Sequence, residues 1–289
     1  MNCSGCYTAI VTPFKNDAVD YPALEKLIEQ QIAAGVAGLV PVGTTGESPT
    51  LNYKEHDEVI EFVTKKANKR CQIIAGTGGN STTEAIPLSQ HAAKIGADAT
   101  LQVTPYYNKP TAEGLYRHFS IVAEKSGLPI VLYNVPGRTG REIPVDVVAR
   151  LSKHQLVIAT KEAGGSVDRV NAILDACDIT VLSGDDSLTL PMISVGAKGV
   201  ISVASNIIPK QVSQMVEHAL NGNFSQAYQI HKKYYPLFRD LFIESNPIPI
   251  KAAMADMKLI AEEYRLPMCE MQPDTREKLR KTLAKLGLV

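Results

Sequence analysis

Eight short apolar segments, each rich in β-branched residues, recur along the chain with helical sequence between them, and this alternation restricts the fold more than any other feature. Each segment is nearly continuous in hydrophobicity, which is typical of parallel strands buried on both faces. The predicted strands are Tyr7–Phe14, Gly38–Gly43, Gln72–Thr77, Thr100–Tyr107, Pro129–Val135, Val157–Glu162, Ile179–Gly184 and Gly199–Ser205.

The segments between the strands carry helical periodicity and helix-start signals. Asp20 is placed to cap the first helix, and Asn52 with Glu55 three residues later resembles a capping box. Further helices are predicted at Glu113–Lys125, Pro144–Leu151, Val167–Asp175, Leu188–Val195 and Pro209–Leu220. Strand and helix alternating eight times predict an α/β fold, the (β/α)8 TIM barrel. An open doubly wound sheet is the alternative, but no GxGxxG motif follows the first strand.

The strand signal stops after Leu220, and the rest of the chain has a helical pattern. We therefore predict a catalytic barrel over residues 1–223 and a C-terminal helical extension over residues 224–289. The extension is expected to pack against the barrel or a partner subunit. Its first helix is marked by apolar and aromatic residues at helical spacing, namely Phe224, Ala227, Tyr228, His231, Tyr235, Phe238 and Phe242.

Composition removes several classes of function. Thirty basic and thirty acidic residues give a formal net charge of zero, so a nucleic-acid or membrane partner has no electrostatic support and a small-molecule ligand is favoured. The N-terminus lacks a secretory signal pattern and five scattered cysteines argue against a disulfide framework, which together predict a cytoplasmic protein. All six histidines fall in predicted helices or their flanks, so no metal site is predicted and a metal-dependent aldolase is disfavoured.

Catalytic groups of a TIM barrel lie at the carboxyl ends of its strands, and Lys161 lies there inside a buried strand. An ammonium group is costly in such a place, and burial favours the neutral amine that attacks carbonyl carbons. The alternative is a structural lysine paired with Glu162. The position of Lys161 alone favours the catalytic interpretation, in which the amine forms a Schiff base with a carbonyl substrate.

Other strand ends carry groups that suit a keto acid. Tyr133 ends a neighbouring strand and can relay protons, although a core tyrosine is an equal alternative. Thr44 and Thr45, between two glycines, can cradle a small carboxylate or form a simple turn. Arg138 can bind a carboxylate with two hydrogen bonds or be merely solvated. Asp185 and Asp186 are interpreted as loop or surface charges.

Together these residues resemble the dihydrodipicolinate synthase family, the 4-hydroxy-tetrahydrodipicolinate synthases, within the superfamily that includes N-acetylneuraminate lyase. The resemblance covers essentially the whole chain. GTTGE and YNVPGRTG are its most specific motifs, whereas the lysine strand marks only the superfamily. The motifs are TPF, GTTGES, GTGGNST, TPYYNKP, YNVPGRTG, TKEA, LSGDD and GVISVASN.

The resemblance implies a lyase that joins pyruvate to L-aspartate 4-semialdehyde, the committed step towards diaminopimelate and lysine, without metal or organic cofactor. It implies that Lys161 forms an imine with pyruvate and that Tyr133, Thr44 and Tyr107 relay protons, with Tyr107 inserted from a neighbouring subunit. Thr45 would hold the pyruvate carboxylate beside carbonyls near Gly184 and Ile201. Arg138 would bind the semialdehyde carboxylate.

The resemblance further implies a homotetramer built as a dimer of dimers and allosteric inhibition by lysine at the dimer interface. Pro49 and Tyr53 depart from the small residue and the histidine expected there, so lysine sensitivity is a hypothesis. The corresponding positions are Ser48, Pro49, Tyr53, His56, Asn80, Glu84 and Tyr106.

Two alternatives remain open at the level of sequence. Another pyruvate-dependent aldolase of the superfamily would act on sialic acid or a 2-keto-3-deoxy sugar acid, although Arg138 and the paired threonines favour the semialdehyde. A non-catalytic binding protein could retain the barrel without forming any adduct on Lys161.

Overall fold

A computed structural model describes all 289 residues, and its centre is a closed barrel of eight parallel strands. The strands run in the order β1-β10-β9-β8-β7-β6-β5-β4 around the barrel, and β2 and β3 form a separate antiparallel pair. The strands are β1 (Gly5–Thr8), β2 (Phe14–Lys15), β3 (Ala18–Val19), β4 (Gly38–Leu39), β5 (Gln72–Gly76), β6 (Ala99–Val103), β7 (Ile130–Asn134), β8 (Val157–Glu162), β9 (Thr180–Ser183) and β10 (Gly199–Ser202).

Helices surround the barrel, and the last three form the C-terminal extension. The predicted (β/α)8 fold with a helical extension is thus confirmed. The helices are α1 (Tyr21–Ala33), α2 (Tyr53–Ala67), α3 (Thr82–Lys94), α4 (Ala112–Ser126), α5 (Pro136–Thr139), α6 (Val145–Leu151), α7 (Val167–Ala176), α8 (Thr189–Ser194), α9 (Pro209–Leu220), α10 (Phe224–Asp240), α11 (Ile248–Asp256) and α12 (Pro273–Lys285).

Several strands are shorter than predicted, and four helices, α3, α5, α11 and α12, were not individually predicted. The first strand ends at Thr8, and Phe14 instead pairs with Val19 in a small hairpin. The predicted eighth strand ends at Ser202 and is followed by a short 3₁₀ helix, Ala204–Asn206. Hydrophobic runs continue past the last inter-strand hydrogen bond because the connecting loops are also buried, so hydropathy alone overestimates strand length. Helix α3 contains Pro87, which weakens its helical pattern.

The predicted helix caps are present. The Asp20 carboxylate accepts a hydrogen bond from the backbone N–H of Ala23, at 3.0 Å. Asn52 and Glu55 exchange the two reciprocal hydrogen bonds of a capping box at the start of α2. These contacts fix where α1 and α2 begin relative to the strands that precede them.

Alternation along the strands separates an inner from an outer core. Successive side chains of β7 and β8 point to opposite faces, so Val131 and Tyr133 lie inside the barrel whereas Leu132 packs against the helices. Tyr133 pairs in register with Lys161 of the adjacent strand, and both side chains therefore face the interior. The register thus places a phenol beside an amine.

The C-terminal extension shares the hydrophobic core of the barrel. Leu237 of α10 and Ile250 of α11 are fully buried in the same cluster as the helices around the strands. Lys251 of α11 is also fully buried and forms an ion pair with Glu47, which follows the second barrel strand. No helix of the chain has the length and apolarity needed to cross a bilayer.

Replacing Lys251 with methionine is expected to destabilise the protein strongly. Burial lowers the pKa of Lys251, and the Glu47 carboxylate beside it opposes that shift. The Lys251→Met variant leaves a buried carboxylate without its partner, which costs about 3–5 kcal/mol. Urea unfolding should show this loss. The double variant Glu47→Gln/Lys251→Met should recover a large part of it, and a double variant less stable than Lys251→Met would contradict this account.

His118 is expected to make stability depend on pH in mildly acidic solution. Burial lowers the pKa of His118 to about 4, and only Thr82 contacts its ring nitrogens. The unfolded chain, whose imidazole titrates near 6.5, therefore binds a proton before the folded chain does. The contribution of His118 is complete above pH 6.5 and is lost as pH falls from about 6.5 towards 4.

Denaturant unfolding at pH 7 and pH 5 measures this effect. The wild type should lose about 2 kcal/mol more than His118→Gln over this interval, because a neutral side chain does not titrate. The His218→Gln variant, altered at a partly exposed histidine in α9, should lose as much as the wild type. Equal losses in wild type and His118→Gln would refute the assignment.

Candidate active site

The carboxyl ends of β7, β8 and β9 surround the amine of Lys161. Its Nζ lies 4.2 Å from the centre of the Tyr133 ring, and the residue is only 6% exposed. A methyl group added to Gly184 would lie 2.9 Å from Cε of Lys161, so the glycine leaves room for the lysine side chain. Lys161 makes no ion pair, which leaves its amine available.

Glu162, the alternative partner of Lys161, lies on the opposite face of the strand. Its Oε2 accepts hydrogen bonds of 2.9 Å from Nδ2 of Asn134 and from Nε of Arg169. Burial raises the pKa of Glu162, and the Arg169 guanidinium opposes this shift. This network joins β7, β8 and α7 outside the barrel. The structural interpretation, in which Glu162 pairs with Lys161, is therefore wrong.

The loop after β4 has an unusual backbone that brings two threonines to the site. Val42, a β-branched residue, has φ of 55°, a conformation that such residues rarely adopt. A Cβ on Gly76 would lie 2.2 Å from the carbonyl oxygen of Val42, so only glycine permits this approach. Thr44 lines the adjoining cavity, and the buried Thr45 accepts a hydrogen bond of 2.9 Å from Nδ2 of Asn246.

A cavity of about 340 Å³ lies at this end of the barrel. It contains Thr44, Tyr133 and Arg138, three residues predicted to act on substrate. The same cavity is lined by six of the seven predicted lysine-site residues: Ser48, Pro49, Tyr53, His56, Glu84 and Tyr106. Part of the predicted substrate site and most of the predicted lysine site therefore border one continuous space.

Several predicted lysine-site residues contact each other in the part of the cavity that they line, which we call its outer part. Asn80, the seventh of them, donates a 3.3 Å hydrogen bond to the carbonyl of Tyr106. The Glu84 carboxylate raises the pKa of Tyr53. His56 is buried with its Nε2 2.9 Å from the carbonyl of Gly76, and burial lowers its pKa. An uncharged histidine and a carboxylate thus face one space.

Five of the predicted catalytic and substrate-binding residues do not line this cavity, namely Thr45, Tyr107, Lys161, Gly184 and Ile201. Tyr107 is 92% exposed, with φ of 70°. Ile201 is fully buried in the inner core with Tyr133, and Gly184 contacts Lys161 as described above. Within a single chain, the structure brings together all the predicted catalytic residues except Tyr107.

Three residues of this region were not identified from sequence or were misinterpreted. Asp186 is not a surface charge: it is 1% exposed and accepts hydrogen bonds from Ser202 and the N–H groups of Val203 and Ala204. Asn246 and Lys251 come from the extension. Lys251 lies within the apolar sequence IPIKAAMAD, which could have marked it as buried, whereas no local signal points to Asn246.

The geometry fits what comparison with known proteins finds. A model of the dihydrodipicolinate synthetase family matches residues 2–286. A 4-hydroxy-tetrahydrodipicolinate synthase of Hydrogenobaculum sp. is 52% identical over 288 residues, covering 99% of each chain.

Solved structures agree with the sequence relatives. A chloride-inhibited dihydrodipicolinate synthase of Acinetobacter baumannii, complexed with pyruvate, is 46% identical with a TM-score of 0.97 and coverage of 99% of each chain. The enzyme of Cyanidioschyzon merolae with lysine bound is 39% identical with a TM-score of 0.95 and the same coverage.

These relatives confirm the predicted family, the predicted enzyme class, a lyase, and the predicted 4-hydroxy-tetrahydrodipicolinate synthase activity. Because the sequence identity is close to one half over the full length, the similarity includes the barrel, the strand ends and the helical extension. The chain belongs to the dihydrodipicolinate synthetase family.

Proposed function

We propose that this chain condenses pyruvate with L-aspartate 4-semialdehyde through an imine on Lys161, the 4-hydroxy-tetrahydrodipicolinate synthase reaction of diaminopimelate and lysine biosynthesis. The observation that carries the proposal is the Lys161 amine, buried at the end of the barrel, without an ion-pair partner and 4.2 Å from the Tyr133 ring centre. No metal or organic cofactor is required, because the imine itself withdraws electrons from the pyruvate methyl group.

The chemistry follows from the amine. Neutral Nζ of Lys161 attacks the keto carbon of pyruvate, and the resulting carbinolamine loses its hydroxyl group as water to give a protonated imine. Loss of a proton from the methyl carbon then forms an enamine. The enamine carbon attacks the aldehyde carbon, whose oxygen takes up a proton. Finally, the amino group of the second substrate attacks the imine carbon, releases Lys161 and closes the ring.

These steps move several protons, and Tyr133, whose ring centre lies 4.2 Å from Nζ of Lys161, is a group that can carry them. Tyr133 and Thr44 both border the cavity, which supports a relay from the carbinolamine outward. We assign Tyr107 as the third member, supplied by a second copy of the chain. Its exposure supports that assignment, because a ring that is 92% exposed in a single chain is free to contact a second copy.

Two groups are proposed to hold the substrate carboxylates. Thr45 offers a hydroxyl and a backbone N–H to pyruvate beside Lys161, with the carbonyls near Gly184 and Ile201 completing the site. Arg138 borders the cavity from an exposed position in α5, the short helix after β7, where a guanidinium can bind the semialdehyde carboxylate with two parallel hydrogen bonds. The assembly we propose is a homotetramer, a dimer of dimers joined through the Tyr107 contact.

Borohydride trapping tests the function directly. Incubation with pyruvate and sodium borohydride should reduce the imine and add pyruvate mass to the peptide that contains Lys161. The Lys161→Ala variant should trap nothing and lose at least a thousandfold in kcat, because the covalent route is removed. Lys153→Arg, altered at an exposed lysine, should behave as the wild type. Wild-type turnover by Lys161→Ala would overturn the proposal.

The same preparation separates the proposed reaction from its alternatives. A lyase for sialic acid or 2-keto-3-deoxy sugar acids would release pyruvate from those compounds faster than it consumes aspartate semialdehyde. A binding protein that only retains the barrel would form no adduct with pyruvate.

We further propose that lysine binds in the outer part of the cavity and inhibits the enzyme. The Glu84 carboxylate can pair with an ammonium group, and the amide of Asn80 lies at the same rim beside Tyr106. The Cyanidioschyzon merolae relative, crystallised with lysine bound, supports a lysine site in this family. The continuity of the cavity gives a lysine molecule direct access to the space beside Thr44 and Tyr133.

Inhibition kinetics test this site. Millimolar lysine should inhibit the wild type, and Glu84→Gln should raise the half-inhibitory concentration about tenfold or more by removing one charge-assisted contact. Its kcat without lysine should stay within about twofold of wild type. Glu124→Gln, altered at an exposed glutamate of α4, is the matched control. Wild-type activity unchanged by millimolar lysine would exclude the effector site.

A further inference from the structure

Asn246, in the turn between α10 and α11, contacts both residues proposed to hold substrate carboxylates. Its side-chain Nδ2 donates a 2.9 Å hydrogen bond to Oγ1 of Thr45, and its backbone carbonyl accepts a 3.0 Å hydrogen bond from Nη2 of Arg138. Asn246 is only 5% exposed. One residue of the extension therefore reaches two proposed substrate-binding residues of the barrel.

The direction of the contact to Thr45 determines what its hydroxyl can do. A threonine hydroxyl has one proton to donate and can accept through its lone pairs. Because the amide of Asn246 donates to Oγ1, the hydroxyl proton of Thr45 is left for a different acceptor. A carboxylate is acceptor-only, so a 2-oxo acid bound beside Lys161 is a suitable recipient.

The Asn246 side chain makes no hydrogen bond other than the one to Thr45. Its Oδ1 is buried and has no hydrogen-bond partner within the protein. A buried carbonyl oxygen without a partner costs energy on folding. The buried Oδ1 of Asn246 therefore lowers the stability of the fold, whereas its Nδ2 contributes a single hydrogen bond to the site.

A second contact holds the same two segments together. Five residues after Asn246, the buried Lys251 pairs with Glu47, which is two residues after Thr45. Two contacts thus hold the turn and the loop together, so the fold determines the distance from Asn246 to Thr45.

We infer that Asn246 is a positioning residue that orients the Thr45 hydroxyl towards the carboxylate of the 2-oxo acid and so sets selectivity for pyruvate. The inference rests on the proposed function. Its main-chain contact to Arg138 does not depend on the side chain, so substitution of Asn246 should affect pyruvate and spare the second substrate.

Steady-state kinetics of Asn246→Ala and Asn246→Asp test the inference. For Asn246→Ala, KM for pyruvate should rise about tenfold, with kcat and KM for aspartate semialdehyde within about threefold of wild type. For Asn246→Asp, the rise should be larger, because a carboxylate takes the Thr45 proton and repels the substrate. If Asn246 served only in packing, Asn246→Ala should raise KM for pyruvate more than Asn246→Asp, because aspartate preserves the shape of the side chain and alanine does not.

A double-mutant cycle shows whether Asn246 acts through Thr45. In a Thr45→Val background, adding Asn246→Ala should change KM for pyruvate less than about twofold, because the hydroxyl it orients is absent. Asn223→Ala, altered at an exposed asparagine directly before α10, is the control and should leave all parameters unchanged.

The outcomes separate the inference from the proposed function. If the wild type shows no borohydride adduct and no turnover of pyruvate, the proposed function fails. If the wild type is active but both Asn246 variants keep KM for pyruvate within twofold, or alanine exceeds aspartate, the inference is overturned. Should Asn246→Ala not fold, the isosteric Asn246→Asp alone decides: an unchanged KM for pyruvate overturns the inference.

Discussion

The register between β7 and β8 is the constraint on which the rest of the site depends. It places Tyr133 opposite Lys161 on the inner face of a closed barrel, and strand alternation sends Glu162 to the outer face, where Asn134 and Arg169 bind it. A shift by one residue would exchange the two faces and put the carboxylate where the amine now lies. The hydrogen bonds around Glu162 on the outer face stabilise this register. The register in turn places Tyr133 beside Lys161 on the inner face.

The C-terminal extension takes part in the site as well as in the core. The turn at Asn246 and the buried pair of Lys251 with Glu47 connect helices α10 and α11 to the loop that carries Thr44 and Thr45. That loop also contains strained backbone at Val42 and Glu47, both with φ of 55°. Strain of this kind persists only where surrounding contacts hold it, and here the extension supplies some of those contacts.

One cavity serves two proposed purposes. Its inner wall carries Thr44 and Tyr133, while its outer part carries His56, Glu84 and Tyr106. A ligand at the outer part can therefore act on the inner part by occupying shared space. Tyr107 is exposed and does not line this space in its own chain, so the complete site is a property of the assembly that we propose.

The sequence by itself determined the strand–helix alternation, the helix caps at Asp20 and Asn52, and the lysine at a strand end, because these depend on periodicity and local hydrogen bonding. It also carried the family motifs. Only the tertiary structure decided the strand ends, the burial of Asp186 and the contacts of Asn246 and Lys251 with the loop after β4. Those contacts join residues some 200 positions apart, and local sequence patterns hold no information about which distant side chain will meet them.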